Sequence, residues 1–453
     1  MTLDRSSMRR FARHASCRCV GWLAFCLATW LSVSVTHAHP RAVGAPQTQP
    51  VAIVNATIHV VSQPTLDKGT LLFDNGKVVA VGTEVALPPD TLQIDGAGKH
   101  VYPGLFCAVG QLGLTEINSI RATKDAAEAG EFNPNAKAQV AVNPDSELIP
   151  VTRANGVLLT LSSPTGGRIA GMSAVMQLDG WTWEDMTVRS PAAMHINWPV
   201  GERRGNRSGD ALKSLREFFE DARRYQRARA ASETVPIDVR LDAMLPVLKG
   251  EVPVIVEADR RSQIEAAVAF AAEYQLNLIV RGGYDAESCA PLLRERHVPV
   301  IVPAVYRLPQ RRHDPVDAAY TLPARLHQAG LEFCIGGDER FDASNLRNLP
   351  YHAATAVAYG LPEEEAIKAL TLYPAQILGV ADRVGSLEIG KHATLIVTDG
   401  SPLDTETATL LAFVQGRRVD LGSRHTDLAK KYEEKYRQLN GVEKQEAEKV
   451  NQP

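Results

Sequence analysis

Cysteine is scarce in this 453-residue chain, with six in all, and Cys17, Cys19 and Cys26 sit near its start. The other three, Cys107, Cys289 and Cys334, are an odd number, widely spaced, each inside or beside an apolar run. A disulfide framework is therefore not expected, and buried thiols packed as small hydrophobes are. No C-x-x-C or H-x-x-x-H spacing suggests a structural zinc site. An excess of one charge is also lacking. The formal net charge is -3, and the short "GERRGNRSGD" (201–210) is expected to be a solvated loop, so no nucleic-acid partner is expected. No G-x-G-x-x-G follows a strand. "PTGGRIAG" (164–171) lacks the G-K-[ST] ending of a phosphate loop and is expected to be a tight βα loop.

Long apolar runs are nearly absent. One stands out, "CVGWLAFCLATWLSVSV", preceded by "MTLDRSSMRRFARHASCR" with its five arginines and one acid. "THA" follows, placing Thr36 and Ala38 as the small residues of a cleavage site. This is the pattern of a secretory signal peptide over 1–38. The run is near the lower limit for spanning a bilayer. Export to the periplasm or the extracellular space is therefore expected, with no membrane association after cleavage. Loss of residues 1–38 takes the formal charge from -3 to -7.

Residues 39–50, rich in Pro, Gly and Gln, are expected to be a linker. From 51 the texture is β, and Asn75-Gly76 between alternating apolar runs signals a two-residue hairpin. Beyond 101 short apolar runs at 156–163, 252–259, 276–283, 298–305 and 331–338 alternate with helical spacing at 262–275, 286–297 and 318–330. Runs apolar on both faces, each followed by an amphipathic helix, imply an α/β fold with a parallel sheet covered by helices. The repeat suits a (β/α)8 TIM-type barrel over 101–380, with a doubly wound sheet as the alternative. β texture returns over 381–424. Together with 51–100 it is expected to form a small composite β-sandwich domain from both chain ends. Residues 425–453 are charged, with Leu428, Tyr432, Tyr436 and Leu439 at helical spacing, and predict a surface helix with a frayed end. In "DGWTWEDM" (179–186) the tryptophans are expected to pack against a neighbouring helix.

Several stretches resemble one family. "GKHVYPGLFCAVGQLG" is similar to the "PGLID-x-H-x-H" opening of the amidohydrolase superfamily, and "GLPEEEAIKALTLYPAQILGVADRVGSLEIGKHATLIV" to its C-terminal signature. "VNPDSELIPVTRANGV" and "SSPTGGRIAGMSAVMQLDGW" look like the secreted, imidazolonepropionase-like branch. The resemblance covers roughly 51–420. It implies a hydrolase of C–N bonds in amides or cyclic amides, dependent on zinc or another divalent metal at the C-terminal mouth of a barrel. Two His from the first strand, one each from the fifth and sixth, and an Asp from the eighth would hold that metal.

Position by position, this sequence departs from that set. Val109 and Gln111 stand where the H-x-H would be, Glu257 ("VIVEAD") at the fifth-strand end and Arg281 ("LIVRGG") at the sixth. Valine has no ligating atom, an amide oxygen substitutes poorly for imidazole, and a guanidinium repels a metal. Only Asp338 ("CIGGDE") keeps the residue type. Tyr373 replaces the usual Asn, and Thr394 the usual Asp. No bound metal is therefore expected. Asp338 and Glu257 are the candidate catalytic carboxylates, and Arg281 and Gln111 the candidate ligand-binding residues. An ion-pair network without a substrate is the competing reading of this trio of charges. His195 is expected in a loop, His297 at a helix-to-strand turn on the opposite face, and His327 and His352 in helices. The expected partner is a small molecule, and oligomers with itself or an active paralogue are conceivable. Either an exported hydrolase with weak or altered activity, or a non-catalytic relative that binds a small molecule or a paralogue, fits these residues.

Intact-mass measurement on protein exported by its own host checks the leader. A chain beginning at His39 is expected, and one still carrying Trp22 and Trp30 would contradict cleavage.

Overall fold

Two eight-stranded sheets organise the chain, and the reason is visible in how the apolar residues are spaced. The computed structural model describes residues 42–199, 207–337 and 342–450. The expected leader (1–38) and Asp338 lie outside the described residues, as does most of 201–210. Contacts gather the described residues from 43 onward into one unit. Among the described residues no helix is long and apolar enough to cross a membrane.

The first sheet begins with β1 (Val51–Ile58), β2 (Leu66–Asp74), β3 (Lys77–Gly82), β4 (Leu92–Asp95) and β5 (His100–Pro103). The β2–β3 turn is the expected one, with Asn75 and Gly76 both at positive φ, 48° and 76°, the twist that suits a two-residue hairpin. The barrel follows, from β6 (Leu105–Gly110), β7 (Val157–Ser162), β8 (Ile169–Gln177) and β9 (Thr187–Ile196) to β10 (Val254–Ala258), β11 (Leu278–Gly282), β12 (Val300–Val302) and β13 (Phe333–Ile335). The chain then returns to the first sheet as β14 (Leu395–Thr398), β15 (Thr409–Val414) and β16 (Arg417–Val419). Strands from both chain ends thus share one sheet. β14 lies antiparallel to β5, with Leu395 opposite Pro103 and Val397 opposite Val101. Its buried face carries Ile53, Ile58, Leu71, Phe73, Val101, Leu395, Val397 and Phe413. Phe73 and Phe413 meet edge-on at 5.1 Å between ring centroids.

The second sheet runs from β6 through to β13 in unbroken chain order. It curls until its edges meet. The amide of Gly337, just after β13, points to the Val109 carbonyl of β6 at 3.4 Å, so an eight-stranded, TIM-like barrel is nearly closed. Ile255, Ile279, Ile301, Leu159, Leu161, Ala193 and Cys334 fill its interior. Helices cover the outside. Arg261–Tyr274 is representative: Ile264, Ala267, Val268 and Ala271, spaced along one face, are all buried. The Gln263 side chain accepts the Arg260 amide at 2.9 Å and the Asp259 amide at 3.2 Å, capping the start of that helix.

One strand departs from the all-parallel expectation. β8 runs antiparallel to both β7 and β9. "PTGGRIAG" is therefore a reversal between two antiparallel strands rather than a βα loop. Gly166 and Gly167, at φ 81° and 60°, supply the left-handed pair that lets the chain turn back at once. With no helix between β7 and β8, this part of the barrel is a meander. Trp181, expected to pack, is 70% exposed, while Trp183 leans on the core. All three described cysteines are buried and none is in a disulfide, and the helix Arg424–Val450 leaves Leu428, Tyr432, Tyr436 and Leu439 exposed.

A buried carboxylate joins the barrel to the first sheet. Asp179, just past β8, has a side chain 0% exposed. It receives Arg153 Nη1 at 3.1 Å, Arg417 Nη2 of β16 at 3.1 Å and the Gly44 amide at 3.3 Å. Burial pushes its carboxyl above the ordinary range, and the two guanidiniums pull it back. Removing one partner of such a group strands the others without countercharge. Asp179→Asn is therefore expected to lower unfolding free energy by roughly 3 kcal/mol, read as an earlier urea midpoint with an unchanged slope. A loss below roughly 1 kcal/mol, the range of surface pairs, would contradict this role.

Candidate active-site mouth

Parity along three neighbouring parallel strands places the polar residues of the mouth. Ile255 of β10 is level with His195 of β9 and with Ile279 of β11, and Glu257 is level with Arg281. Ile255, Ile279 and Ala193 fill the barrel interior. Residues two further along each strand, Glu257, Arg281 and His195, therefore face the same way, at the C-terminal ends. Active sites of barrels of this kind form at that end.

The structure thus brings two of the four expected site residues together. Arg281 Nη1 lies 3.9 Å from Glu257 Oε2, with side chains 14% and 50% exposed. That separation is beyond hydrogen-bond range, and a pair so wet at one end contributes about 0–1 kcal/mol. Arg281 Nε is buried with no hydrogen-bond partner. Gln111 is engaged elsewhere. Its Oε1 accepts from Thr115 Oγ1 at 3.2 Å, and its carbonyl accepts the amides of Leu114 and Thr115. Asp338 lies outside the described residues.

Val109 has a packing role. A register shift between Cys107 and Gly110 turns its side chain into the interior cluster, where it is fully buried. A Cβ added at Gly336 would come within 2.6 Å of Val109 Cγ1, so glycine there lets the first and last strands approach.

His195, expected in a loop, stands on a strand instead. It is the penultimate residue of β9, 5% exposed, and its Nε2 is buried without a hydrogen-bond partner. Burial first, and the Arg281 charge second, lower its pKa to about 3, so the ring is neutral at physiological pH. His297, His327 and His352 stand as expected, the first at a helix-to-strand turn and the others in helices.

A strap closes one side of the mouth. After β12 the segment 303–321 reaches back over the ends of β10 and β11. Gln310 Nε2 donates to Asp259 Oδ2 at 2.7 Å, Arg307 Nη1 approaches the same oxygen at 3.5 Å, and Arg311 pairs with Asp285. Tyr284 donates its hydroxyl to Asp314 at 3.0 Å. Among the described residues, no group of three His, Cys, Asp or Glu side chains could hold a metal ion. The donor types at the strand ends do not fit a tight zinc site either. They offer a valine, an engaged amide, one half-exposed carboxylate, a guanidinium and a single imidazole, His195.

A TIM-like barrel carrying its polar residues at the C-terminal strand ends, beside a sheet built from both chain ends, fits the superfamily that the sequence resembles. Residues 303–426 match the profile of the Amidohydrolase family. The solved structure of an amidohydrolase from Thermotoga maritima MSB8 superposes with a TM-score of 0.75 at 26% identity, covering 82% of this chain and 99% of that one. Amidohydrolase tasK of Hapsidospora irregularis is 21% identical over 77% of this chain and 39% of its own length. The imidazolonepropionase of Brucella suis is 28% identical over 33% of this chain and 36% of its own length. The chain spans under two-fifths of the length of these curated relatives. It belongs to the amidohydrolase superfamily.

The buried imidazole has a consequence for acid stability. The unfolded chain takes up a proton at His195 near pH 6.5, while the folded chain resists until about pH 3. Between those values the unfolded state binds more protons, so stability falls as pH falls. Thermal midpoints from pH 7 to pH 4 should decline, and His195→Gln should shallow the decline. An identical slope in the variant would contradict a buried neutral ring.

Proposed function

We propose that the protein is an exported, imidazolonepropionase-like hydrolase of C–N bonds in amides or cyclic amides, with weak or altered activity because its metal ligands have been exchanged. The observation that carries this reading is the Glu257–Arg281 pair, at the strand ends where the superfamily resemblance calls for imidazoles. With a guanidinium in that place the mouth has its own chemistry. Arg281 can stabilise negative charge developing on an amide oxygen, and Glu257 or Asp338 can take a proton from the attacking water. Without a Lewis acid to acidify that water, hydrolysis of an amide is slow. The periplasm or extracellular space is the proposed location, and a small molecule the proposed partner.

A second reading has one observation in its favour. Val109 fills its position by closing the barrel rather than by facing a ligand, as suits a non-catalytic relative that binds a small molecule, or pairs with an active paralogue.

Elemental analysis of protein purified without chelators tests the exchange. Well under one zinc per chain is expected, with a melting temperature unmoved by chelator. One or more tightly held metals per chain would overturn it. Turnover of cyclic amides and dipeptides separates the two readings, since the first requires product and the second forbids it.

A further inference from the structure

The barrel wall at the mouth carries two buried nitrogens that the fold itself leaves unused, and Arg307 of the strap adds two more, Nε and Nη2. His195 Nε2 and Arg281 Nε have no hydrogen-bond partner, although the first belongs to a residue only 5% exposed and the second to a side chain 14% exposed. Polar atoms so far from water are ordinarily paired, and leaving two on one wall carries a desolvation cost that a ligand would relieve. Both residues face the interior from strands flanking β10. Strand tilt in an eight-stranded barrel raises each layer by about one residue per strand. The layer containing His195 on β9 therefore includes Arg281 on β11, and the guanidinium is close enough to disfavour a proton on the ring.

We infer that His195 and Arg281 form a carboxylate-binding subsite, so that the ligand of the mouth is a small organic acid rather than a neutral amide. This rests on the reading of the mouth as the ligand site. A carboxylate has two oxygens in one plane, one for Arg281 Nε–H and one for a neutral His195 in its Nε2–H form. Its negative charge suits the Arg281 guanidinium on the wall. A neutral amide offers a single acceptor oxygen whose two lone pairs would have to serve both nitrogens, and it brings no charge to Arg281. Glu257 does not occupy the subsite already, because it stands 3.9 Å from Nη1 and is half exposed. It remains available to the nitrogen-bearing end of the same ligand. His195 carries no charge of its own and so reads shape and hydrogen bonding, while Arg281 reads charge.

Two probes of nearly equal size test the subsite on the full chain: N-acetylglycine, and its capped neutral analogue N-acetylglycinamide. Binding is followed by calorimetry and product by chromatography in the same samples. The acid is expected to bind at least about tenfold more tightly, the scale of a charge-assisted pair. Arg281→Met should abolish the preference, Arg281→Lys should keep part of it, and His195→Gln should reduce it. Circular dichroism establishes that each variant is folded. Equal affinity for the two probes, no binding of either, or a preference that survives Arg281→Met would overturn the subsite. Hydrolysis distinguishes the two proposals. A preference for the acid without product sustains the subsite and removes the hydrolase reading. Turnover of both probes with equal affinity sustains the hydrolase reading and removes the subsite.

Discussion

Asp179 is the point on which the architecture turns. Its buried carboxylate is shared by Arg153 from the helix before β7, by Arg417 from β16, and by the Gly44 amide from the segment leading into β1. Three stretches that are remote in sequence are fixed to one pair of oxygens. An apolar interface could bury as much surface but would not fix direction. Charge-assisted hydrogen bonds have preferred geometry, and here they set how the last strand of the first sheet meets the antiparallel turn of the barrel. Residues 43–50, which read in sequence as a linker, are held to the same body. Gln47 bonds to the Phe73 carbonyl and to the Gly76 amide as well.

With the frame fixed, the mouth follows from strand parity. Interior positions of β9, β10 and β11 are apolar deep in the barrel and become His195, Glu257 and Arg281 at its open end. The depth of each residue sets its electrostatic behaviour. Glu257 is at the wet rim and reaches toward Arg281 without touching it. His195 sits lower, where burial holds the ring neutral. Above them, Asp259 and Asp285 tie the strap after β12 through Gln310, Arg307 and Arg311. That strap leaves Leu308 87% exposed, so its middle is held by polar residues, while Ala318 and Ala319 pack against Tyr284 nearer its end.

Much of the fold was legible because its signals are local. The Asn75-Gly76 turn, the buried runs of β7 and β10 to β13, and the helix over 261–274 each follow from a few adjacent residues. The meander was not legible. β8 is buried along its whole length and so shows no alternation, and Pro191 inside β9 reads as a strand breaker. The loss of β9 as a strand hid His195, since a histidine assigned to a loop is not a wall residue. Glu257 and Arg281 could be paired from the sequence because both end recognisable strands. Gln111 could not be placed, because its side chain is taken up by Thr115, four residues on, in a turn that composition does not specify. The opposite end of the barrel holds a cavity of about 790 Å³ lined by Arg189, Glu251, Gln275, Arg296 and His297. It lies before the strands begin, at the face associated with stability rather than chemistry.

We propose that the Arg281 guanidinium and the His195 imidazole, rather than a metal ion, bind the ligand of the mouth. Anomalous diffraction at the zinc edge, from crystals grown with excess zinc, tests it most directly. No peak is expected at the mouth, with Arg281 Nε and His195 Nε2 turned toward a bound anion or water. A peak ligated by His195 Nε2 and Glu257, with Arg281 displaced, would contradict it.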